Sequence, residues 1–138
     1  MTALVYVPPQ ELRAAWKQIK PAVGDIWAAC GEPWIVEDVY AALVTGAAQL
    51  WRRPDGSGWV VLKITQEAYS GEPMLLVWLA WSAPGTEEVV VANTAQVREI
   101  ARAAGVKRLA FDSPRRGWER RGPALGWRAV YTHFEMEA

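Results

Sequence analysis

The chain reads as an α+β domain built on a mixed β-sheet, and three observations predict it. Met74–Ala83 (MLLVWLAWSA) is almost wholly apolar; a strand with no polar face is covered on both sides, as a central strand is. Pro54-Asp55-Gly56-Ser57-Gly58 is a strong turn signal between two extended runs, which makes residues 48–65 a β-hairpin. The last third reads helix, strand, helix, strand, with connections short enough to imply right-handed crossovers and parallel pairing. Early helices, then antiparallel strands, then alternating helix and strand is an α+β order.

The elements follow in turn. Ala3–Val7 is short and β-branched, a first strand ended by Pro8-Pro9. Pro9 suits the start of a helix. Leu12, Trp16, Ile19 and Val23 then recur at helical spacing. Pro21 is expected to kink or end that helix, with Asp25–Cys30 a further turn or a continuation and Gly31 its stop. Val36, Val39, Tyr40 and Leu43 mark a helix over Ile35–Thr45, broken by Gly46. Gln49–Arg53 and Trp59–Thr65 are the hairpin strands. Ser70-Gly71-Glu72-Pro73 turns the chain into Met74–Ala83, and Pro84–Glu88 turns it into a helix over Val89–Ala104, closed by Gly105. Val106–Asp112 (VKRLAFD) is a strand, RRGWERRGPALGW (115–127) a helical segment, and Arg128–Glu135 a last strand.

At 138 residues the chain is one domain, 1–138, long enough for a real core. Hydrophobic content of 51% and charged content of 22% are those of ordinary globular proteins, not of disordered ones. No apolar run reaches the roughly 20 residues that span a bilayer, and MTALVYVPPQ has neither a basic n-region nor a long apolar h-region. The single cysteine, Cys30, rules out an internal disulfide and a cysteine-built metal site. A reduced, cytoplasmic setting fits it. One histidine, His133, excludes any mechanism that needs two, most zinc hydrolases among them.

Two features point to partners. Lys/Arg and Asp/Glu number 15 each, yet Gly105–Arg128 holds seven of the first and two of the second. That local excess of +5 leaves −5 elsewhere, a polarity that suits an anionic partner at one end. Arg115, Arg116, Arg120 and Arg121 carry it, with Trp118 interleaved. Guanidinium groups grip phosphates bidentately. The cluster therefore fits the 3′-phosphate of a nucleotide cofactor, a nucleic-acid backbone or an acidic protein. It equally fits a solvated helix face whose arginine stems cover Trp118 and Trp127. A nucleic acid is the weakest of these, because total charge is zero and one short cluster binds only weakly. Nine tryptophans are the second feature. They signal either an aromatic core, favoured by their positions in strands and on apolar helix faces, or a stacking surface.

The order of elements resembles the GNAT-type acyl-CoA N-acyltransferase fold over essentially the full chain. Gly105-Val106, Leu109, Phe111 and Leu125-Gly126-Trp127 resemble its C-terminal half, where strand and helix lead to a Gly-aromatic pair. The arginine-rich segment, with Gly46-Ala47-Ala48-Gln49-Leu50-Trp51, is more narrowly similar to small GNAT-like proteins of tailed phages and prophages. The resemblance implies acetyl-CoA as cofactor, with its diphosphate on a glycine-rich loop after the central strand. Here that loop is Ser82-Ala83-Pro84-Gly85-Thr86-Glu87-Glu88-Val89. It has one glycine, a proline without an N–H and two adjacent carboxylates, which oppose diphosphate binding.

The resemblance also implies site residues. The donor would lie along main-chain groups of Trp81, Ser82, Ala83 and Gly85, with Arg115 and Arg116 near its phosphates. Glu67, just after the hairpin strand, takes the place of a general base. The family's proton-donating tyrosine would fall near Gly122-Pro123, where none stands; Tyr131, in the expected last strand, is the substitute. His133 reads as a packing or surface residue and Cys30 as a structural thiol. No metal site is expected. Two functions follow. The first is a phage- or prophage-type protein with a degenerate acyl-CoA site, serving as a binding or virion-associated component with an acidic or phosphate-bearing ligand, or a phage protein, at Arg115–Arg121. The alternative is an active N-acetyltransferase that moves an acetyl group from acetyl-CoA to an amine.

Overall fold

The computed structural model describes residues 3–113 and 117–138. One five-stranded sheet runs in the order β1 (Val5–Tyr6), β2 (Ala48–Arg52), β3 (Gly58–Gln66), β4 (Pro73–Ser82) and β5 (Leu109–Ala110). The first four pair antiparallel, and β4 pairs with β5 in parallel. Helices α1 (Leu12–Cys30) and α2 (Val36–Thr45) cover one face; α3 (Val89–Ala92) and α4 (Thr94–Ala103) cover the other. This is the expected α+β architecture with a mixed sheet. Among the described residues no helix is long and apolar enough to cross a membrane.

Period-two alternation divides the core in two. Along β3, Trp59 and Val61 pack with Ile19, Val23 and Val39 under α1 and α2, while Val60 and Leu62 pack with Val89, Val97 and Ala101 under α3 and α4. On β4 the alternation slips. Val61 pairs with Leu79 but Leu62 with Val77, so Trp78 is an extra residue, a β-bulge. Val77 therefore points into the second core, whereas Trp78 and Leu79 both join the first.

The first strand is anchored by a side chain. Gln96 of α4 accepts the Leu4 N–H at 2.7 Å and donates to its carbonyl at 2.6 Å, which stands in for a strand neighbour on Leu4. Gly31 and Gly46 end α1 and α2 with φ of 67° and 81°, the left-handed conformation that glycine adopts without strain.

Four expectations change. Pro21 neither ends nor divides α1, which runs 19 residues through it. Burial of Leu12, Ala15, Ile19 and Val23 along one stripe outweighs the one hydrogen bond that proline forfeits. The helix expected over 89–104 is cut at Asn93, a buried residue recruited by Arg53 from across the fold. The strand expected over Val106–Asp112 shrinks to Leu109–Ala110, and its parallel partner is β4. Arg128–Glu135 forms no strand: Val130, Tyr131 and Phe134 are exposed. Alternating sequence sets which face of a segment can be buried; it does not supply a partner edge, and a two-residue β5 offers almost none.

The tryptophans divide between core and surface. Only Trp59 is fully buried; Trp16, Trp34, Trp51, Trp78 and Trp81 flank the cores, and Trp27 is exposed. Beyond β5, Phe111 holds Trp118 of α5 (Gly117–Arg121) and Trp127 edge-on, with centroids 4.8 and 4.6 Å away.

Candidate functional site

β4 and β5 stay together only where Leu75 and Leu76 face Leu109 and Ala110. Past Ala110 the chain leaves the sheet, and β4 runs on to Ser82 without that neighbour. The bulge at Trp78 falls at this parting. Beside it lies a cavity of about 240 Å³ lined by Glu32, Pro33, Trp34, Lys63, Leu76, Trp78 and Asp112. Local sequence builds each wall. Gly31 ends α1, and Pro33 disfavours helix at Glu32, so the next residues turn back over the sheet and present Trp34. Asp38 then accepts the Ile35 N–H at 2.9 Å and starts α2. Lys63 has the same strand parity as Trp59 and Val61, and so points to the α1/α2 side.

The cavity's groups engage one another. The Lys63 ammonium stands 4.0 Å from the centroid of the Trp78 ring, a cation–π contact. Trp34 meets Trp78 edge-to-face at 5.8 Å and 74°. The Trp34 indole N–H donates to Glu32 Oε2 at 2.9 Å.

Three N–H groups of the loop after β4, those of Ala83, Thr86 and Val89, are satisfied from within. Ser82 Oγ accepts the Val89 N–H at 2.8 Å, at the very start of α3. The Ala83 N–H donates to Ser57, and the Thr86 N–H and hydroxyl both donate to the Ala83 carbonyl. Gly85 takes φ of 79°. The Glu88 carboxylate pairs with Arg121 at 3.2 Å, and that guanidinium also stacks over Trp118 at 4.5 Å. Beneath the loop, Arg53 is 4% exposed and donates to the Glu87 carbonyl and to Asn93 Oδ1, both at 3.0 Å. Its Nε is buried without a partner among the described residues.

The residues expected from sequence are not gathered in one place. Trp81, Ser82, Ala83 and Gly85 do stand together at the end of β4, Trp81 stacked on Trp59 at 6.4 Å. Arg115 and Arg116 lie outside the described residues. Tyr131 is 82% exposed in the C-terminal segment, where His133 meets Glu135 at 3.0 Å. Cys30, half-buried at the end of α1, contacts the Trp27 carbonyl.

Glu67 closes the β3–β4 turn. Its carboxylate accepts the N–H groups of Ser70 at 2.6 Å and Tyr69 at 2.9 Å. These bonds, the one from Ser70 foremost, hold its pKa below the ordinary glutamate value. The folded-state pKa is depressed, so the bonds persist above the ordinary value and weaken as pH falls through the folded one. We expect Glu67→Ala to speed amide exchange at Tyr69 and Ser70 at neutral pH, and acid to lower the protection of the same amides relative to a free peptide at the same pH. Unchanged protection would assign those amides to other acceptors.

Sequence reasoning missed the cavity and Arg53. Lys63 did carry a signal, a lone charge at an inward parity in WVVLKIT. Trp34 and Trp78 meet across 44 positions of sequence, which no local pattern records.

No family model matches the chain, and no curated protein matches it. Solved structures do. The crystal structure of a probable acetyltransferase superposes with a TM-score of 0.69 at 11% identity, covering 98% of this chain and 97% of the other. A ribosomal-protein-alanine N-acetyltransferase from Brucella melitensis biovar Abortus 2308 gives 0.65 at 14%, covering 98% and 97%. An acetyltransferase from Trypanosoma brucei gives 0.62 at 15%, covering 98% of each chain. The mixed five-stranded sheet with helices on both faces is thus a GNAT-like α+β fold, shared with these structures over 98% of the chain.

Proposed function

We propose that this protein is a GNAT-fold binding component with a degenerate acyl-CoA site, of the kind that serves tailed phages and prophages as a virion-associated part. One observation carries the reading: in the loop that would cradle a diphosphate, the Ala83, Thr86 and Val89 N–H groups are all taken up within the protein. A cradle needs outward-facing N–H groups and no negative charge. Here Ser82 takes the Val89 N–H, and Glu88 stands at the mouth, paired with Arg121. With α3 only four residues long and broken from α4 at Asn93, little helix dipole is left to attract an anion. The loop does not fit acetyl-CoA. The phage assignment is supported by Gly46–Trp51 and by the arginine-rich segment. That segment's charge fits an acidic or phosphate-bearing partner, a phage protein ahead of a nucleic acid. Before packaging, the protein would stay in the reducing cytoplasm with Cys30 as a free thiol.

One observation favours the second reading, an active N-acetyltransferase. The bulge at Trp78, where β4 parts from β5, leaves the next strand edge without a strand neighbour and open to the pantetheine of acetyl-CoA. A thermal-shift titration decides. A compound present at 100 times its dissociation constant stabilises the fold by about 2.7 kcal/mol, several degrees in a domain of this size. We expect no shift with millimolar acetyl-CoA. A saturable rise would replace the first reading with the second.

A further inference from the structure

We infer that the cavity at the parting of β4 and β5 is a binding site for a small zwitterion, a free α-amino acid. The inference goes beyond the reading of the donor loop and stands whichever way acetyl-CoA behaves.

Size comes first. At about 240 Å³ the cavity lies below the roughly 300–1,000 Å³ of pockets that hold drug-sized ligands. It admits something of amino-acid size and no nucleotide. Its walls come next. Trp34, Trp78, Leu76 and Pro33 give apolar surface for a side chain.

Charge then selects the class. Lys63 is half-buried, rests on Trp78 and has no ion pair among the described residues. A carboxylate entering the cavity meets this cation, and a plain amine leaves it unpaired. Glu32 and Asp112 stand on the same lining. Glu32 is held by the Trp34 indole N–H, so it accepts an ammonium group with little side-chain freedom left to lose. A plain anion meets two carboxylates; a plain cation meets Lys63. Only a molecule bearing both signs at close spacing satisfies both sides.

The test is calorimetric titration of the full chain, without coenzyme A, against each of the twenty free amino acids. For the tightest binder the decarboxylated amine and the deaminated acid follow; for L-phenylalanine these are phenethylamine and 3-phenylpropionate. At least one amino acid should saturate, and loss of either charged group should weaken binding about tenfold. Lys63→Gln should weaken the amino acid about tenfold and leave the amine no weaker, since the opposing cation is gone. Glu32→Gln should likewise weaken the amino acid about tenfold and leave the acid no weaker. Both side chains reach solvent, so the unfolding midpoints of the variants should match the parent and exclude misfolding. The inference is overturned if no amino acid saturates below about 10 mM, or if either singly charged analogue binds as tightly as its parent.

Discussion

Trp59→Ala is expected to cost about 3–5 kcal/mol, the range for removing a buried tryptophan or phenylalanine from a core. Trp59 is 3% exposed and sits where β3 passes beneath α1 and α2. Its indole stacks on Trp81 with an interplanar angle of 21°. Alanine would open a void bounded by strands paired on both sides, with little room to collapse. A domain of this size has about 5–15 kcal/mol of stability in all, so roughly a fifth or more is at stake. Urea unfolding should show the midpoint fall with an unchanged slope. Trp27→Ala is the control: that indole is 44% exposed, and its loss should stay within about 0.5 kcal/mol. Equal effects at the two positions would mean that the aromatic content of this chain does not act through burial.

What the sequence disclosed and what it hid differ in range. The hairpin over 48–65 was legible because PDGSG must turn and both flanks are extended runs. The α1 stripe, the stops at Gly31 and Gly46 and the strand over Met74–Ala83 were legible for similar reasons: each depends on residues close in the chain, whereas the sheet order, which makes β3 and not this strand the central one, does not. The break at Asn93 was not. Nothing in VVVANTAQ forbids a continuous helix; the partner that divides it lies 40 residues away. Pro21 misled in the opposite sense, since a local rule was overruled by burial on both sides of it. The C-terminal segment reads as an extended run but forms no strand, and the β5 it would follow is only two residues long. At the site, the carboxylates of the donor loop were visible as composition, while Arg121 as the partner of Glu88, 33 positions on, was not. Glu67 drew notice for its place after a strand, and that place is also where a turn needs an acceptor.

Arg53→Ala should destabilise the protein by about 2–4 kcal/mol, and the loss should concentrate at the α3–α4 junction. Two effects oppose each other. Removing a buried guanidinium relieves a charge held away from water, with no carboxylate bonded to it in the structure. It also takes a donor from the Glu87 carbonyl and from Asn93 Oδ1, at about 1–3 kcal/mol for each acceptor left without one, and leaves a cavity against Gly58. A Cβ at Gly58 would already lie 3.0 Å from the Arg53 guanidinium and 3.2 Å from the Trp81 carbonyl, so that space is shaped around the arginine. Loss of both hydrogen bonds and packing outweighs relief of one charge. Amide exchange at Ala92, Asn93 and Val97 should rise more than at Leu62 or Val77. Arg53→Lys should fall between parent and alanine, because an ammonium group lacks the planar fork that spans two acceptors. If Arg53→Ala left stability within about 0.5 kcal/mol of the parent, desolvation would be cancelling the hydrogen bonds, and the break at Asn93 would need another cause.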